Sequence, residues 1–314
     1  MLNPRFDPGL TQQFTSPVRR MINQDGSFNV HRRGTTWRDF HPYLRLIGMS
    51  WLKFLLTLLL GYTVVNSVFA AMYFSLGPGH LQGADAPTEF ARFLNDFFFS
   101  AHTLSTVGYG NIWPSTPAAN AVAVLEALVG VLGFAVATGL MFGRVSRPSA
   151  RIGFSDRMLV SPYQGTTALE FRVVNRRVND VMDVETRVML MTVETRDGQP
   201  QRSYKPLKLE RDRLVFMPLT WTVVHPIDQE SPLWALTEED MLRLQAEVLI
   251  VIKAYDDTFS QTVIARRSYR FDEILWNRRF APAFFVDPEG DLVLELKKIG
   301  EVQPEPVQPV QPEA

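Results

Sequence analysis

Two apolar stretches dominate the polarity pattern of the chain. Residues 54–76 carry no charged side chain, and as a helix they are long enough to cross a hydrocarbon core of about 30 Å. Residues 118–143 form a second stretch, acidic only at Glu126. The segment between them is too long for a helical-hairpin turn and has the size to dip into a membrane and return. Irregular backbone at that depth is tolerated only where protein buries it or it lines a watery cavity. Within the segment, Asn95–Ser105, rich in Phe97, Phe98 and Phe99, predicts a short helix running into Thr106-Val107-Gly108-Tyr109-Gly110. The expected elements are an outer transmembrane helix over 49–77, a pore helix and following loop over 94–111, and an inner helix over 118–145. Ahead of them, Trp37, Phe40, Leu44 and Ile47 fall at helical spacing, with Arg38, His41 and Arg45 on other faces. That pattern predicts an interfacial helix over 36–48, with Pro42 setting where its helical part begins.

From Ser149 the pattern changes to short alternating runs. Leu169, Phe171 and Val173 alternate with Glu170 and Arg172; Val188–Val193, Leu214–Met217, Trp221–Val224, Val248–Ile252 and Leu292–Leu296 read as further strands. Only Thr237–Gln245 reads as helix, with Thr237 as N-cap and Asp240 at capping-box spacing. The expectation is a membrane α-helical pore module followed by an all-β sandwich over 149–300. The polar segment 1–35 precedes it all, and 301–314, with its repeated Gln-Pro and Glu-Pro, reads as a disordered tail.

Charge supplies direction. Arg19, Arg20, Arg32, Arg33, Arg38, Arg45 and Lys53 precede the first span; Arg144, Arg147, Arg151 and Arg157 follow the second. The loop between holds Arg92 against Asp85, Glu89 and Asp96. The positive-inside bias places both termini in the cytoplasm of a multi-pass protein of the cell's inner membrane. The N-terminus is polar and the first apolar run is full length, so no cleavable signal peptide is expected. Overall composition conceals this, since a net charge of −1 and 46% hydrophobic residues resemble a soluble protein. The absence of cysteine excludes disulfides and thiolate metal sites, and the five histidines show no pair at ligand spacing. No phosphate-binding loop, dinucleotide fingerprint or nucleophile elbow occurs, so neither an enzyme, nor a cofactor, nor a nucleic-acid partner is expected.

The pentapeptide carries the chemistry. In isolation Thr106–Gly110 would pass for a Gly-rich turn. Between two spans and after a pore helix, it is a strand whose backbone carbonyls can replace the hydration shell of K⁺, four copies around one axis. Gly108 and Gly110 permit the positive φ that turns the carbonyls one way. Thr106 adds a hydroxyl ring, Val107 completes the strand, and Tyr109 braces it from behind. K⁺ is thus the permeant ion, held by the carbonyls of Thr106, Val107, Gly108 and Tyr109 rather than by side chains.

Several segments together resemble the prokaryotic inward-rectifier potassium channels over residues 36–300. They are Phe97-Phe98-Phe99-Ser100 before the filter, Leu125-Glu126, Arg147-Pro148, and, in the β-rich region, His225-Pro226-Ile227-Asp228 and Ser231-Pro232-Leu233. The resemblance implies a homotetramer in the lipid bilayer, an interfacial slide helix, and an immunoglobulin-like cytoplasmic assembly extending the pore. It makes Phe142 the bulky gate at the inner helix crossing. Residues Leu132, Gly133, Phe134 and Ala135 then border the central cavity, where strong rectifiers of the family hold a carboxylate; this chain has none, so weak rectification is expected. Gly130, Gly133 and Gly139 permit close packing or bending. His102 stands where many relatives have a filter-bracing Glu, and Asn111-Ile112 replaces the usual Arg after the filter. Glu126 and His102 are therefore expected to pair as filter support, making conductance respond to pH. Arg144, Arg147 and Arg151 are candidates for anionic lipid headgroups. A ligand-gated potassium channel of another kind would need a Gly-rich βαβ unit, which is missing. A non-conducting membrane-anchored β-sandwich would leave Thr106–Gly110 unexplained.

Overall fold

The computed structural model describes residues 8–10, 20–31, 33, 34, 36, 39, 41–146, 151–196 and 199–304. They form two compact units, residues 33–147 and residues 1–32 together with 148–314.

The first unit is helical. α1 (Pro42–Gly48) starts with proline at its first turn, where a missing N–H costs nothing. Of the expected 36–48 helix this is the half that the structure describes; Trp37, Arg38 and Phe40 lie outside the described residues. α2 (Trp51–Leu76) and α4 (Pro117–Val145) are 26 and 29 residues long, and both are long and apolar enough to cross a membrane. α3 (Glu89–Leu104) begins six residues before the expected Asn95, because the Thr88 hydroxyl caps it by accepting the Ala91 N–H at 3.2 Å. Short strands β1 (Leu81–Gln82) and β2 (Trp113–Pro114) pair antiparallel and tie together the loops on either side of α3.

The buried positions of these helices recur at helical spacing. They include Asn66, Phe69 and Tyr73 on α2, Asp96, Phe99, Ser100 and Leu104 on α3, and Ala119, Glu126 and Gly130 on α4. The opposite surfaces are equally apolar but exposed: Leu52, Leu55, Leu56, Leu59 and Leu60 on α2, and Val124, Leu128, Val131 and Leu132 on α4. Such all-round apolarity fits membrane-spanning helices.

The second unit is a β-sandwich. Along the chain run β3 (Ile152–Phe154), β4 (Met158–Tyr163), β5 (Thr166–Asn175), β6 (Val181–Arg196), β7 (Gln199–Leu207), β8 (Arg213–Phe216), β9 (Thr220–Ile227), β10 (Glu247–Asp256), β11 (Gln261–Arg270) and β12 (Ile274–Trp276). One five-stranded sheet has the order β11-β10-β6-β7, with β8 also on β6; the other has β12-β4-β5-β3, with β9 also on β5. Alternate residues from both, including Phe171, Val173, Val188, Leu190, Val248 and Ile250, fill one core. α5 (Glu238–Arg243) carries the expected capping box, Thr237 and Asp240 each bonding the other's backbone N–H.

Two findings depart from expectation. β13 (Arg278–Phe280) and β16 (Val302–Pro304) pair antiparallel, as do β14 (Phe284–Val286) and β15 (Leu292–Leu294). The start of the expected disordered tail is thus a strand as far as Pro304, because β13 offers it a ladder; residues 305–314 lie outside the described set. In addition, part of the N-terminal segment belongs to this unit. Met21 and Ile22 pack on Met191, Tyr204 and Leu249, and the Arg20 guanidinium bonds the Glu273 carboxylate and the Ser268 carbonyl.

Candidate functional site

The C-terminal turn of α3 delivers Thr106–Gly110. The His102 carbonyl accepts N–H bonds from Val107 at 2.9 Å and Gly108 at 3.3 Å, and the Thr103 carbonyl accepts that of Thr106 at 3.0 Å. These bonds suspend the strand from the negative end of a helix, where a cation is favoured. Thr106, Gly108 and Gly110 take left-handed φ of 60°, 52° and 79°. The positive φ expected at both glycines is therefore present. Thr106 adds a third such position, one rarely occupied by a β-branched residue. All five residues are exposed in the single chain, Val107 at 53% and Tyr109 at 74%. Tyr109 presents its ring edge-on to His102, centroids 4.8 Å apart.

The expected His102–Glu126 pair does not form. Glu126 is fully buried, and its two oxygens contact the Tyr73 hydroxyl at 2.7 Å and the Ser100 hydroxyl. Helix geometry is the reason. Ser100 and His102 lie two residues apart, about 200° around α3, so a Ser100 that faces α4 turns His102 toward Tyr109. Ser100 also lies 3.0 Å from Asn66 Oδ1, and Asn66 Nδ2 donates to the Tyr62 carbonyl at 2.7 Å. Tyr62 in turn donates its hydroxyl to the Ala101 carbonyl at 3.1 Å. Asn66, Ser100 and Tyr73 were not read as site residues. The one available signal was Asn66, the single amide side chain inside the uncharged run 54–76.

Glycine placement separates three candidates. A side chain at Gly130 would collide with the Leu104 carbonyl, whereas Gly133 and Gly139 have nothing within 4 Å. Gly130 is therefore a close-packing site between α4 and α3. At the other end of α4, Phe142 and Phe134 are 72% and 76% exposed, two turns apart. Next to Phe142, Gly143 leaves room for Tyr43 and Ile47 of α1.

The three arginines diverge. The Arg144 guanidinium donates to the carbonyls of Leu46 at 3.0 Å, Ile47 at 2.9 Å and Met49, and it stacks over Trp51 and Phe54 at 4.7 and 5.0 Å. It fastens the end of α1 to α4. Arg151 is exposed, and Arg147 lies outside the described residues. No group of three or more His, Asp or Glu side chains placed to hold a metal occurs among the described residues. In the β unit, the two segments His225–Asp228 and Ser231–Leu233 meet. His225 bonds the Lys208 carbonyl through Nδ1 at 2.5 Å and Ser231 Oγ through Nε2 at 2.8 Å.

Sequence comparison places this architecture. Residues 152–311 match the inward rectifier potassium channel C-terminal domain, and residues 51–147 match the ion channel family. The chain belongs to the inward rectifier potassium channel family. It is 37% identical over 303 residues to inward rectifier potassium channel Kirbac3.1 of Paramagnetospirillum magnetotacticum, covering 93% of this chain and 99% of that one. G protein-activated inward rectifier potassium channel 2 of Homo sapiens is 25% identical, covering 86% and 69%, and channel 3 of Mus musculus is 27% identical, covering 88% and 76%. The family is one of membrane ion channels and not of enzymes. The two apolar helices flanking α3 and the β-rich domain after them are the parts that the two matched families cover.

Proposed function

We propose that the chain assembles as a homotetramer and conducts K⁺ passively through a filter made by Thr106, Val107, Gly108, Tyr109 and Gly110. One observation carries the reading: an exposed strand with alternating left-handed residues hangs from the negative end of α3, between two membrane-length helices. One copy offers only a quarter of a K⁺ coordination shell, and four around an axis complete it. Both termini lie in the cytoplasm, following the basic residues before α2 and after α4.

Phe142 forms the gate, four rings making an apolar constriction that blocks ions by dewetting. Phe134 borders the cavity above it. With no carboxylate at residues 132–135, internal polyamines block weakly. Anionic headgroups act on the gate through Arg147 and Arg151, each worth about 1 kcal/mol near the surface. Arg144 contributes by holding α1 rather than by free charge.

The test is cation flux from purified protein in liposomes. Rb⁺ uptake driven by a K⁺ gradient, blocked by Ba²⁺ and lost when Na⁺ replaces K⁺, is the expected result. A well-formed tetramer that passes Na⁺ as readily as K⁺ would overturn the filter assignment. Low internal spermine causing steep voltage-dependent block would overturn weak rectification.

A further inference from the structure

We infer that Glu126 is held in its acid form, and that its proton completes a hydrogen-bonded chain through Tyr73, Ser100 and Asn66 that positions the filter. The inference rests on the filter reading above. Its basis is a count of donors and acceptors among side chains from α2, α3 and α4 that are all at most 1% exposed.

The count starts at Asn66. Its Nδ2 faces the Tyr62 carbonyl at 2.7 Å, an acceptor only, so the amide orientation is fixed and Oδ1 faces Ser100. Ser100 Oγ therefore contacts two oxygens, Asn66 Oδ1 and Glu126 Oε1, with a single proton to give. Were Glu126 ionised, all its lone pairs would be acceptors. Whichever oxygen Ser100 served, the other contact would set acceptor against acceptor without a proton. With the acid form every contact is satisfied. Glu126 Oε1–H donates to Ser100, Ser100 donates to Asn66 Oδ1, and the Tyr73 hydroxyl donates to Glu126 Oε2 at 2.7 Å. Tyr73 is the titratable group bonded to the carboxyl from α2. From α3 the bonded group is Ser100, with His102 turned toward Tyr109. Fully buried side chains do best when every polar atom is served, and a half-satisfied network is worse than an apolar one.

The chain has mechanical consequence because of where it grips. Ser100 sits one residue before Ala101, whose carbonyl takes the Tyr62 hydroxyl, and two before His102, whose carbonyl holds Val107 and Gly108. Four residues on, the Leu104 carbonyl meets Gly130. The last turn of α3 is thus held from α2 by Asn66 and Tyr62 and from α4 by Glu126 and Gly130. Packing alone would be served by apolar residues. A polar chain adds direction, fixing the rotation of α3 and so the direction of the filter carbonyls. Asn66, Ser100 and Tyr73 are positioning residues.

Two measurements on the full-length tetramer test this. Infrared difference spectra between wild type and Glu126→Gln read the proton: a protonated-carboxyl C=O band at neutral pH, lost in the variant, is expected. Its absence overturns the acid form, whether or not the channel proves selective. Selectivity reads the brace. Glu126→Gln keeps one donor and one acceptor in place, so its K⁺ over Na⁺ preference and Ba²⁺ block should stay within about twofold of wild type. Glu126→Leu, Ser100→Ala and Asn66→Leu should each lose about fivefold or more, one hydrogen bond's worth, and Ser100→Thr should restore it. Glu126→Gln failing as badly as Glu126→Leu, or the apolar variants keeping full selectivity, would sink the positioning role. A wild type without selectivity condemns the filter reading instead, and leaves the infrared result standing.

Discussion

The carbonyl of Leu104, at the end of α3, lies so close to the α-carbon of Gly130 on α4 that no methyl group fits between them. Helix propensity favours alanine over glycine by about 1 kcal/mol, so in open space the exchange would stabilise α4. At Gly130 the obstacle is backbone and cannot rotate away, and overpacking costs about 1–3 kcal/mol. Gly130→Ala should therefore lower the thermal midpoint of the full-length protein and its K⁺ selectivity together. Gly133→Ala and Gly139→Ala, with nothing within 4 Å in the subunit, should leave the midpoint level or higher. Thermal unfolding followed by size exclusion, with Rb⁺ flux on the same samples, distinguishes the three.

Arg144 offers a different discrimination. If its positive charge served only to attract lipid, lysine would replace it. Its guanidinium instead spans three carbonyls at the end of α1, and a lysine cannot reproduce that fork. Arg144→Lys should thus behave like Arg144→Ala, losing the coupling between α1 and the C-terminal end of α4, at roughly 1.5–3 kcal/mol. Arg151→Lys should keep the wild-type response to anionic lipid, and Arg151→Ala should lose part of it. The check is flux against the fraction of anionic lipid in the vesicles. Equal responses of Arg144→Lys and wild type would return Arg144 to the lipid-binding group.

The features legible in the sequence were those written locally. Two uncharged runs, a pentapeptide rich in glycine, and Thr237 three residues before Asp240 each carry their meaning within one window. The partners of Glu126 were not legible, because they come from α2 and α3 and depend on which way each helix turns. His102 was the plausible choice by distance along the chain, and helix rotation ruled it out. β11 escaped notice for a related reason. Its inward positions Val263 and Tyr269 are separated by Arg267, which stacks on the Tyr269 ring at 5.1 Å and so breaks the apolar alternation. The N-terminal strap reads as a polar lead-in because its anchor, Glu273, lies 253 residues away from Arg20.

That anchor has a pH signature. Burial pushes the Glu273 carboxyl upward, but bonds from the Arg270 N–H, Arg20 and Gln24 outweigh it and hold it below its usual value. A carboxyl depressed in the folded state stabilises fully above its unfolded value and loses that contribution as pH falls through the folded one. Strap docking should therefore be intact at neutral pH and loosen in acid, below the ordinary glutamate range near 4.5. Glu273→Gln should show the loosened state already at neutral pH, and Arg20→Ala, which also gives up the Ser268 bonds, should loosen the strap at least as much, with little added in the double variant. Hydrogen exchange of residues 20–29 reads the effect directly. Unchanged protection in Glu273→Gln would mean that Met21 and Ile22 hold the strap by packing alone.

His225 predicts a second, milder acid sensitivity. Burial holds its pKa below the ordinary histidine value of 6.5, against smaller opposing effects from the Lys208 carbonyl and Asp228. The Lys208 carbonyl can only accept, so Nδ1 carries the proton and Nε2 accepts from the Ser231 hydroxyl. Ser231 Oγ is simultaneously the acceptor for the Leu233 N–H at 3.1 Å, so His225 and Ser231 together hold the turn after β9. A histidine whose pKa falls on folding contributes its full stability above about 6.5 and loses it progressively as pH drops through the folded value. The thermal midpoint of the full-length protein should fall as pH drops below about 6.5. His225→Gln should flatten that slope, at some cost in absolute stability. Ser231→Ala strands a buried Nε2 lone pair, which costs about 1–3 kcal/mol, and it should lower the thermal midpoint at neutral pH. A slope unchanged in His225→Gln would assign the acid sensitivity to the carboxylates instead.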